Sequence, residues 1–156
     1  MIQVNGNIID QHQFGAGELN IKLDPELDNP VINIWWNYEN DAELFTLACI
    51  RQHYSNRKCI LNMPYLPHAR MDRVKNEEDV FTLQTFAYFI NTLAFEKVYI
   101  LDAHSNVGPA LIYRCVNQSP KCYIQKAIDK LEHSWSDWEV TKEATCKEAG
   151  EKSRTC

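Results

Sequence analysis

The clearest pattern in this sequence is the segment Lys97-Val98-Tyr99-Ile100-Leu101-Asp102-Ala103-His104-Ser105-Asn106-Val107-Gly108. Its run of β-branched and apolar residues, Val98 to Leu101, predicts a buried strand. The pattern stops at Asp102 and His104 follows two residues later, so in an extended chain both side chains point to the same face. Ligands of open α/β sheets bind beyond the carboxyl ends of the strands, which makes this pair a candidate site for a metal ion or a phosphate. The alternative is a simple strand end, with Asp102 capping the next turn.

A stiff, basic loop follows an earlier predicted strand, Lys58 to Met63. The loop, Pro64 to Arg73, includes two prolines, two arginines and an aspartate. The planar guanidinium of arginine donates two hydrogen bonds at once, which suits phosphate oxygens. The loop therefore predicts an anion site at the same sheet edge as Asp102. A solvated, salt-bridged surface loop is the alternative.

Strand and helix patterns alternate through the middle of the chain. Val31 to Trp36 predicts a strand, and Ala42 to Tyr54 predicts an amphipathic helix for which Asn40-Asp41 offers an N-cap. The Lys58 to Met63 strand comes next. This order predicts an α/β fold, namely a three-layer, mostly parallel sheet with flanking helices.

A second helix is predicted between the basic loop and the Val98 strand. Asn76 is its expected N-cap, and the acidic residues Glu77 to Asp79 suit the positive end of a helix. Its apolar stripe is at Val80, Leu83, Phe86, Ala87, Ile90 and Leu93. Phe81, Tyr88 and Phe89 widen the stripe, which indicates burial on more than one side or a subunit contact.

The ends of the chain give weaker patterns. Near the start we expect two short extended pieces between Ile2 and Ile9 and a half-exposed strand at Leu19 to Leu23. The glycines of Phe14 to Glu18 fit an anion-binding loop or an ordinary turn. Ala110 to Val116 fits a strand or a short helix. Later, Ile124 to Leu131 predicts an amphipathic helix.

The composition of the chain becomes more polar after His133. Residues Glu139 to Cys156 alternate charges and contain almost no large apolar side chain, so we expect a solvated helix or disorder. The predicted domains are residues 1–132 and a polar tail of residues 133–156.

Composition limits the classes of function. With 156 residues the chain is long enough for one globular domain, and its 45% hydrophobic and 24% charged residues are typical of a soluble protein. A net charge of −5 argues against nucleic-acid binding as the main task. No apolar run reaches membrane-spanning length and Met1 to Asn20 lacks a signal-peptide pattern, so a cytoplasmic location without membrane partners is expected.

The six cysteines form no C-x-x-C pair and no zinc-type spacing. We expect free thiols, with Cys49 and Cys59 as small core residues.

Three motifs, in this order, resemble ribose-phosphate pyrophosphokinase, also called phosphoribosyl pyrophosphate synthetase. Phe14-Gly15-Ala16-Gly17-Glu18 is similar to the Phe-x-Asp-Gly-Glu loop of that family. Pro64-Tyr65 through Ala69-Arg70-Met71-Asp72-Arg73 resembles its Pro-Tyr-x-x-x-Ala-Arg-Gln-Asp-Arg motif, and Asp102-Ala103-His104-Ser105 resembles its Asp-Leu-His-Ala motif. The resemblance covers roughly Phe14 to Gly108 and corresponds to the family's N-terminal domain, a phosphoribosyltransferase-like half.

The resemblance implies a magnesium-dependent transfer of the diphosphoryl group of ATP to ribose 5-phosphate. Phe14 would pack on adenine, with Ala16, Gly17 and Glu18 beside it. Arg70, Met71 and Asp72 would lie along the nucleotide, with Arg70 on its phosphates. Asp102 and His104 would help hold the Mg²⁺ of the nucleotide without necessarily binding it directly, and His104 would act through water or as a hydrogen-bond donor. Homo-oligomers are expected.

The sequence departs from the family pattern in two ways. Ala16 and Met71 stand where the family has Asp and Gln, so two polar contacts expected near the base are absent. The chain after Gly108 also lacks the family's acidic, glycine-rich ribose 5-phosphate loop, as a truncated or frame-shifted gene would. The expectation is therefore the ATP and Mg²⁺ half of a site that needs a second domain or partner for ribose 5-phosphate. A non-catalytic regulatory or assembly module that binds a full-length synthetase is the alternative.

Overall fold

The computed structural model describes residues 1–23, 29–130, 137–146 and 148–154. The chain forms two compact units, Met1–Ser119 and Pro120–Cys156. The predicted boundary between residues 132 and 133 lies outside the described residues and stays a prediction. Across the described ranges, no helix has the length and apolar character needed to span a membrane.

The first unit contains most of the secondary structure. Its elements are, in chain order, β1 (Ile2–Val4), β2 (Asn7–Ile8), β3 (Asp10–Gln13), β4 (Leu19–Lys22), β5 (Val31–Trp36), α1 (Glu43–His53), β6 (Lys58–Met63), α2 (Thr82–Thr92), β7 (Lys97–Leu101), α3 (Val107–Leu111) and β8 (Cys115–Gln118). Six of these strands form one sheet in the order β2-β1-β5-β6-β7-β8, while β3 and β4 form a separate hairpin. β5 to β8 are parallel, and β1 is antiparallel to its two neighbours. The predicted α/β fold, with a mostly parallel sheet and flanking helices, is confirmed.

Alternation along the strands places the core on one face of the sheet. In β5, Ile32, Ile34 and Trp36 are fully buried, because side chains two residues apart point to the same face. The Trp36 ring stacks on Phe86 of α2 at 6.0 Å between centroids, and its indole nitrogen donates a hydrogen bond of 2.9 Å to Glu43 of α1. The two long helices therefore pack on the same face of the sheet.

The opposite face of the sheet is half-exposed. Trp35 pairs in register with Asn62, Asn62 with Tyr99, and Tyr99 with Val116, so these four side chains form a row across β5 to β8. Trp35 is 43% exposed and Val116 is 38% exposed. Parallel sheets are usually covered on both faces, so this row is an unusual apolar surface.

The predicted range holds for α1, whereas the predicted start of α2 does not. α1 lies within the predicted range, but the predicted N-cap at Asn40-Asp41 is wrong, because the N-cap residue is Ala42 and no side chain caps the helix. The Asn40 side chain instead accepts a hydrogen bond of 3.0 Å from the Ala42 amide. The predicted start of α2 at Asn76 is wrong, because this helix begins at Thr82. The Asp79 carboxylate instead accepts hydrogen bonds from the Lys75 and Asn76 amides, which forms a separate turn.

The apolar stripe of α2 is confirmed for its central part. Leu83, Phe86, Ala87 and Ile90 are buried, while Phe81, Phe89 and Leu93 are partly buried against the same core. Val80, which was expected in the stripe, is exposed because it precedes the helix. Tyr88 is 72% exposed.

The N-terminal predictions are confirmed, with one strand added. β1 and β2 flank the Asn5-Gly6 turn, and β4 matches the predicted half-exposed strand. β3 pairs with β4 and was not predicted, because Asp10 to Gln13 contains no apolar residue to reveal a strand. For Ala110 to Val116 the sequence allowed either a strand or a short helix. The segment contains the end of α3 and the start of β8.

The second unit contains α4 (Lys121–Ile128), β9 (Glu139–Lys142) and β10 (Glu151–Ser153). The helix prediction is confirmed by α4, although Leu131 lies outside the described residues and no described residue of α4 is buried. The expectation of a solvated helix or disorder after Glu139 is wrong where β9 and β10 form an antiparallel pair. Their residues are nevertheless all exposed, as the polar sequence indicated.

The described cysteines are free thiols, as expected. Cys59 is buried in the core, whereas Cys49 is half-buried. Burial raises the pKa of the Cys115 thiol to about 11. Cys156 lies outside the described residues.

Gly108 of α3 allows a close approach to the loop after β6. A Cβ built at this position would lie 2.3 Å from Cδ2 of Leu66 and 3.9 Å from a methyl carbon of Leu83 in α2. Leu66 is only 4% exposed, so its side chain has little free space in which to move. The backbone of α3 therefore packs directly on the loop that contains the basic motif.

We predict that Gly108→Ala lowers the free energy of unfolding by about 1–3 kcal/mol, because the new methyl group overpacks the core at Leu66. Chemical denaturation measures the change. Gly15→Ala is the matched control, since nothing lies within 4 Å of a Cβ built there, and we expect almost no change. Equal destabilisation by both substitutions would contradict the close packing of Gly108.

Candidate functional site

The carboxyl ends of the parallel strands β5, β6 and β7 define one edge of the sheet. The chain leaves this edge through residues 37–42, residues 64–81 and residues 102–106. Ligand sites of open α/β sheets lie at this kind of edge. Two of the three predicted motifs, in the loops after β6 and β7, lie here.

The loop after β6 is anchored by buried side chains, while Arg70 within it is exposed. Leu66 and Ala69 are each 4% exposed, while Arg70 directly follows Ala69 and is exposed. Met71, the predicted neighbour of the base, is 37% exposed. His68 has a φ of +59°, a left-handed conformation that is uncommon outside glycine.

Asp72 joins the loop after β6 to the loop after β7. Its carboxylate is buried and accepts two hydrogen bonds from Arg73, at 2.8 and 3.4 Å. The hydrogen bond from Arg73, together with one from Ser105, holds the pKa of Asp72 below its usual value, and the charges of Arg73 and His104 act in the same direction. Asp72 is therefore ionised and fixed beside the Asp102 to Ser105 motif rather than free to meet a ligand.

The chain turns immediately after β7. Asp102 has a φ of +49°, and its amide donates a hydrogen bond of 2.9 Å to the Gln118 carbonyl. The Ala103 amide donates to the Asn117 side chain at 3.0 Å. The assumption of an extended chain, which placed Asp102 and His104 on one face, is therefore wrong at this point. Both side chains are exposed at the sheet edge.

The described residues contain no group of three or more His, Cys, Asp or Glu side chains that could hold a metal ion. Asp102 is the exposed carboxylate of the strand-end motif, and His104 follows it. Magnesium prefers oxygen ligands and often takes only one or two carboxylates beside substrate phosphates. The described residues therefore form no protein cage for a metal ion, and Asp102 offers a single exposed carboxylate that an ion bound mainly by substrate oxygens could use.

The first motif lies at the turn of the β3–β4 hairpin. The Gly17 amide donates to the Phe14 carbonyl at 2.8 Å, and the Phe14 amide donates to the Glu18 carbonyl at 2.9 Å. Gly17 has a φ of +86°, so the turn requires its glycine. Phe14 is 58% exposed, and Ala16 and Glu18 are also exposed. This is an ordinary closed turn whose aromatic ring is accessible to a ligand.

An open cleft of about 490 Å³ lies beside this hairpin. Gly17 and Glu18 line it, together with Glu39, Glu43 and Thr46 near the start of α1. Among its described lining residues are none of the predicted ligands from the loops after β6 and β7. The hairpin motif therefore borders a different concavity from the one that Arg70, Asp102 and His104 would share.

A cluster that the motifs did not reveal lies between the loops after β5 and β6. The carboxylate oxygen Oδ1 of Asp41 is 2.9 Å from Nε2 of His68 and accepts a hydrogen bond of 3.0 Å from the Tyr38 hydroxyl. The hydrogen bond with His68, and to a smaller extent the one from Tyr38, holds the pKa of Asp41 below its usual value. Burial, and then the hydrogen bond to Asp41, raises the pKa of Tyr38.

Glu43, near the start of α1, is a further residue whose contacts the sequence patterns did not predict. It is 7% exposed, and its Oε2 accepts hydrogen bonds from the Trp36 indole at 2.9 Å and the Glu39 amide at 2.8 Å. The α-amino group of Met1 binds its other oxygen. Burial alone raises the pKa of Glu43, but the hydrogen bonds from Met1, Trp36 and Glu39 outweigh it and hold the pKa below its usual value. Its position in the first turn of a helix was the only available signal.

Comparison with solved structures identifies a similar fold. The crystal structure of phosphoribosylpyrophosphate synthetase from Mycobacterium smegmatis matches with a TM-score of 0.61 and 12% sequence identity, over 79% of this chain. At this identity the likeness shows the fold alone. The chain spans 43% of the length of that structure. No protein-family model matches the sequence, and no curated protein is similar to it.

We predict that Glu43→Gln lowers the free energy of unfolding at pH 7 by about 2 kcal/mol, because a buried charged acceptor is lost. Since the pKa of Glu43 is lowered in the folded protein, its stabilisation is full above the unfolded pKa, about 4.3, and is lost as pH falls through the folded pKa. The difference in unfolding free energy between wild type and Glu43→Gln should therefore shrink as the pH falls from the unfolded pKa through the folded pKa. Denaturation at several pH values measures it.

Glu78→Gln is the matched control, since Glu78 is exposed. We expect its unfolding free energy to follow that of the wild type at every pH. A constant gap between wild type and Glu43→Gln across the acidic range would contradict the assignment.

Proposed function

We propose that this chain is the ATP and Mg²⁺ half of a ribose-phosphate diphosphokinase, which transfers the diphosphoryl group of ATP to ribose 5-phosphate. The observation that carries the proposal is that β6 and β7 are adjacent parallel strands, so the loops that follow them, with the second and third motifs, leave the sheet at the same edge. The order of the three motifs and the fold shared with phosphoribosylpyrophosphate synthetase support it.

Each motif has a distinct role in the proposal. The hairpin borders a different concavity from the sheet edge, so the exposed ring of Phe14 and the backbone of Ala16, Gly17 and Glu18 would contact the adenine of ATP bound at the sheet edge of a neighbouring subunit. Arg70 is exposed directly after the buried Ala69, so its guanidinium is free to bind the phosphates of ATP. Met71 lies next to the nucleotide, and the buried Asp72 fixes the loop.

Electrostatics supply most of the chemistry in this proposal. Phosphoryl-type transfer depends mainly on positioning and on neutralising the charge of the phosphates. Mg²⁺, when bound with ATP, neutralises phosphate charge. Asp102 would hold the ion through an oxygen, and His104 would donate a hydrogen bond directly or through water. These roles agree with the exposure of both side chains at the sheet edge.

The ribose 5-phosphate half would come from a second domain or a partner chain. The chain spans 43% of the synthetase structure that it resembles. We expect a homo-oligomer in the cytoplasm. The exposed Tyr88 of α2 and the half-exposed Trp35 and Tyr99 on the sheet support subunit contacts, because apolar side chains of this size favour burial.

A second candidate function is a non-catalytic module that binds a full-length synthetase. Ala16 and Met71 favour it, because each replaces a polar residue of the motif with an apolar one. The half-exposed row on the sheet offers a surface for such assembly. ATP binding by the isolated chain distinguishes the two functions.

We predict that the chain binds Mg²⁺ and ATP with a millimolar or lower dissociation constant. Arg70→Ala and His104→Ala should each weaken binding by about 1–3 kcal/mol, since each removes a charge-assisted contact. Isothermal titration calorimetry measures both effects.

Lys58→Ala is the control, because it removes a positive charge at the amino end of β6, opposite the proposed site. Its dissociation constant should equal that of the wild type. Absence of ATP binding by the wild type would contradict the catalytic half-site and favour the assembly module. Equal weakening by all three substitutions would indicate a nonspecific charge effect.

A further inference from the structure

We infer that Asp41 and His68 are positioning residues, which hold the loop after β6 so that Arg70 stays at the carboxyl edge of the sheet. The inference rests on the proposed function for the role of Arg70 in binding ATP. Neither Asp41 nor His68 belongs to the residues that the motifs assign to the nucleotide. Their geometry nevertheless connects them directly to the loop that contains Arg70.

The backbone of the loop is bent at His68. The φ of +59° places His68 in the left-handed region, and its carbonyl accepts a hydrogen bond of 2.9 Å from the Met71 amide. Arg70 lies inside this closed turn. A left-handed conformation costs energy in a residue with a Cβ, so the surrounding contacts must hold it in place.

Side-chain contacts of His68 supply that restraint. Asp41, from the connection between β5 and α1, binds the imidazole at 2.9 Å. The ring packs against Phe86 of α2, with 5.5 Å between centroids, and against Tyr38 at 6.2 Å. The His68 side chain is only 23% exposed. Two separate elements therefore fix one residue of the loop.

Tyr38 reinforces the same contact from the other side. Its hydroxyl donates to the Asp41 oxygen that His68 also contacts. Its ring lies 6.4 Å from that of Tyr65, at the start of the loop. The cluster therefore contacts the loop at Tyr65 and at His68. Arg70 lies two residues after His68. Removing the Asp41 carboxylate should free the turn without disturbing the buried core, because the Asp41 side chain is 62% exposed.

The first test is independent of ATP. We expect Asp41→Asn and His68→Phe to raise the hydrogen-exchange rate of the Met71 amide about tenfold, because the turn that this amide closes loses its restraint. His68→Phe keeps a ring against Phe86 and removes the polar contact with Asp41, while Asp41→Asn leaves the backbone preference of residue 68 unchanged. The control is Asp10→Asn, which breaks a similar carboxylate–histidine contact of 3.0 Å, between Asp10 and His12 in β3. Unchanged exchange in both variants would overturn the inference.

The second test is a double-mutant cycle on ATP and Mg²⁺ binding. Asp41→Asn should weaken binding about tenfold in the wild type and less than about twofold in the Arg70→Ala background, because Asp41 acts through Arg70. Equal weakening in both backgrounds would overturn the positioning role, since a general loss of structure would persist without Arg70. If the wild type binds no ATP, the proposed function fails, and Met71 exchange still decides whether the cluster holds the loop.

Discussion

The buried indole of Trp36 is the contact on which the rest of the first unit depends. Its ring stacks on Phe86 of α2 and meets the edge of Tyr38, while its N–H donates to Glu43 of α1. A single side chain at the carboxyl end of β5 thus contacts both long helices and the cluster beside the candidate site. Because the indole N–H is buried, it needs the Glu43 acceptor, and this requirement fixes the start of α1 against the sheet.

The same packing determines which side chains lie at the carboxyl edge of the sheet. With β5, β6 and β7 parallel and adjacent, their following loops leave from one edge. Gly108 lets α3, which follows the third motif, pack closely on Leu66 of the loop that contains the second motif. This contact makes two motifs that are distant in the sequence into neighbours. The side chains that stay exposed there are suited to an anion and its metal ion, as the proposed function requires.

One face of the sheet is half-exposed, whereas both faces of a parallel sheet are usually covered by helices. The row from Trp35 to Val116 combines aromatic and aliphatic side chains with the amide of Asn62, which itself donates to the Ile34 carbonyl. The fold matches less than half of a longer synthetase structure. Large apolar side chains on such a face favour burial against another protein surface, as the proposed oligomer would provide.

The parallel strands and the core face of α2 could be predicted from the sequence, because alternation and helical periodicity are local patterns that burial enforces. The sequence also marked Arg70, Asp102 and His104, whose roles stay predictions. Two features are visible only in the folded chain: Asp102 leaves the extended conformation where its amide bonds the Gln118 carbonyl, and Asp41 contacts His68, which lies 27 residues further along the sequence. These features arise from contacts between distant elements, and no local pattern of residues encodes a contact whose partner lies elsewhere in the chain.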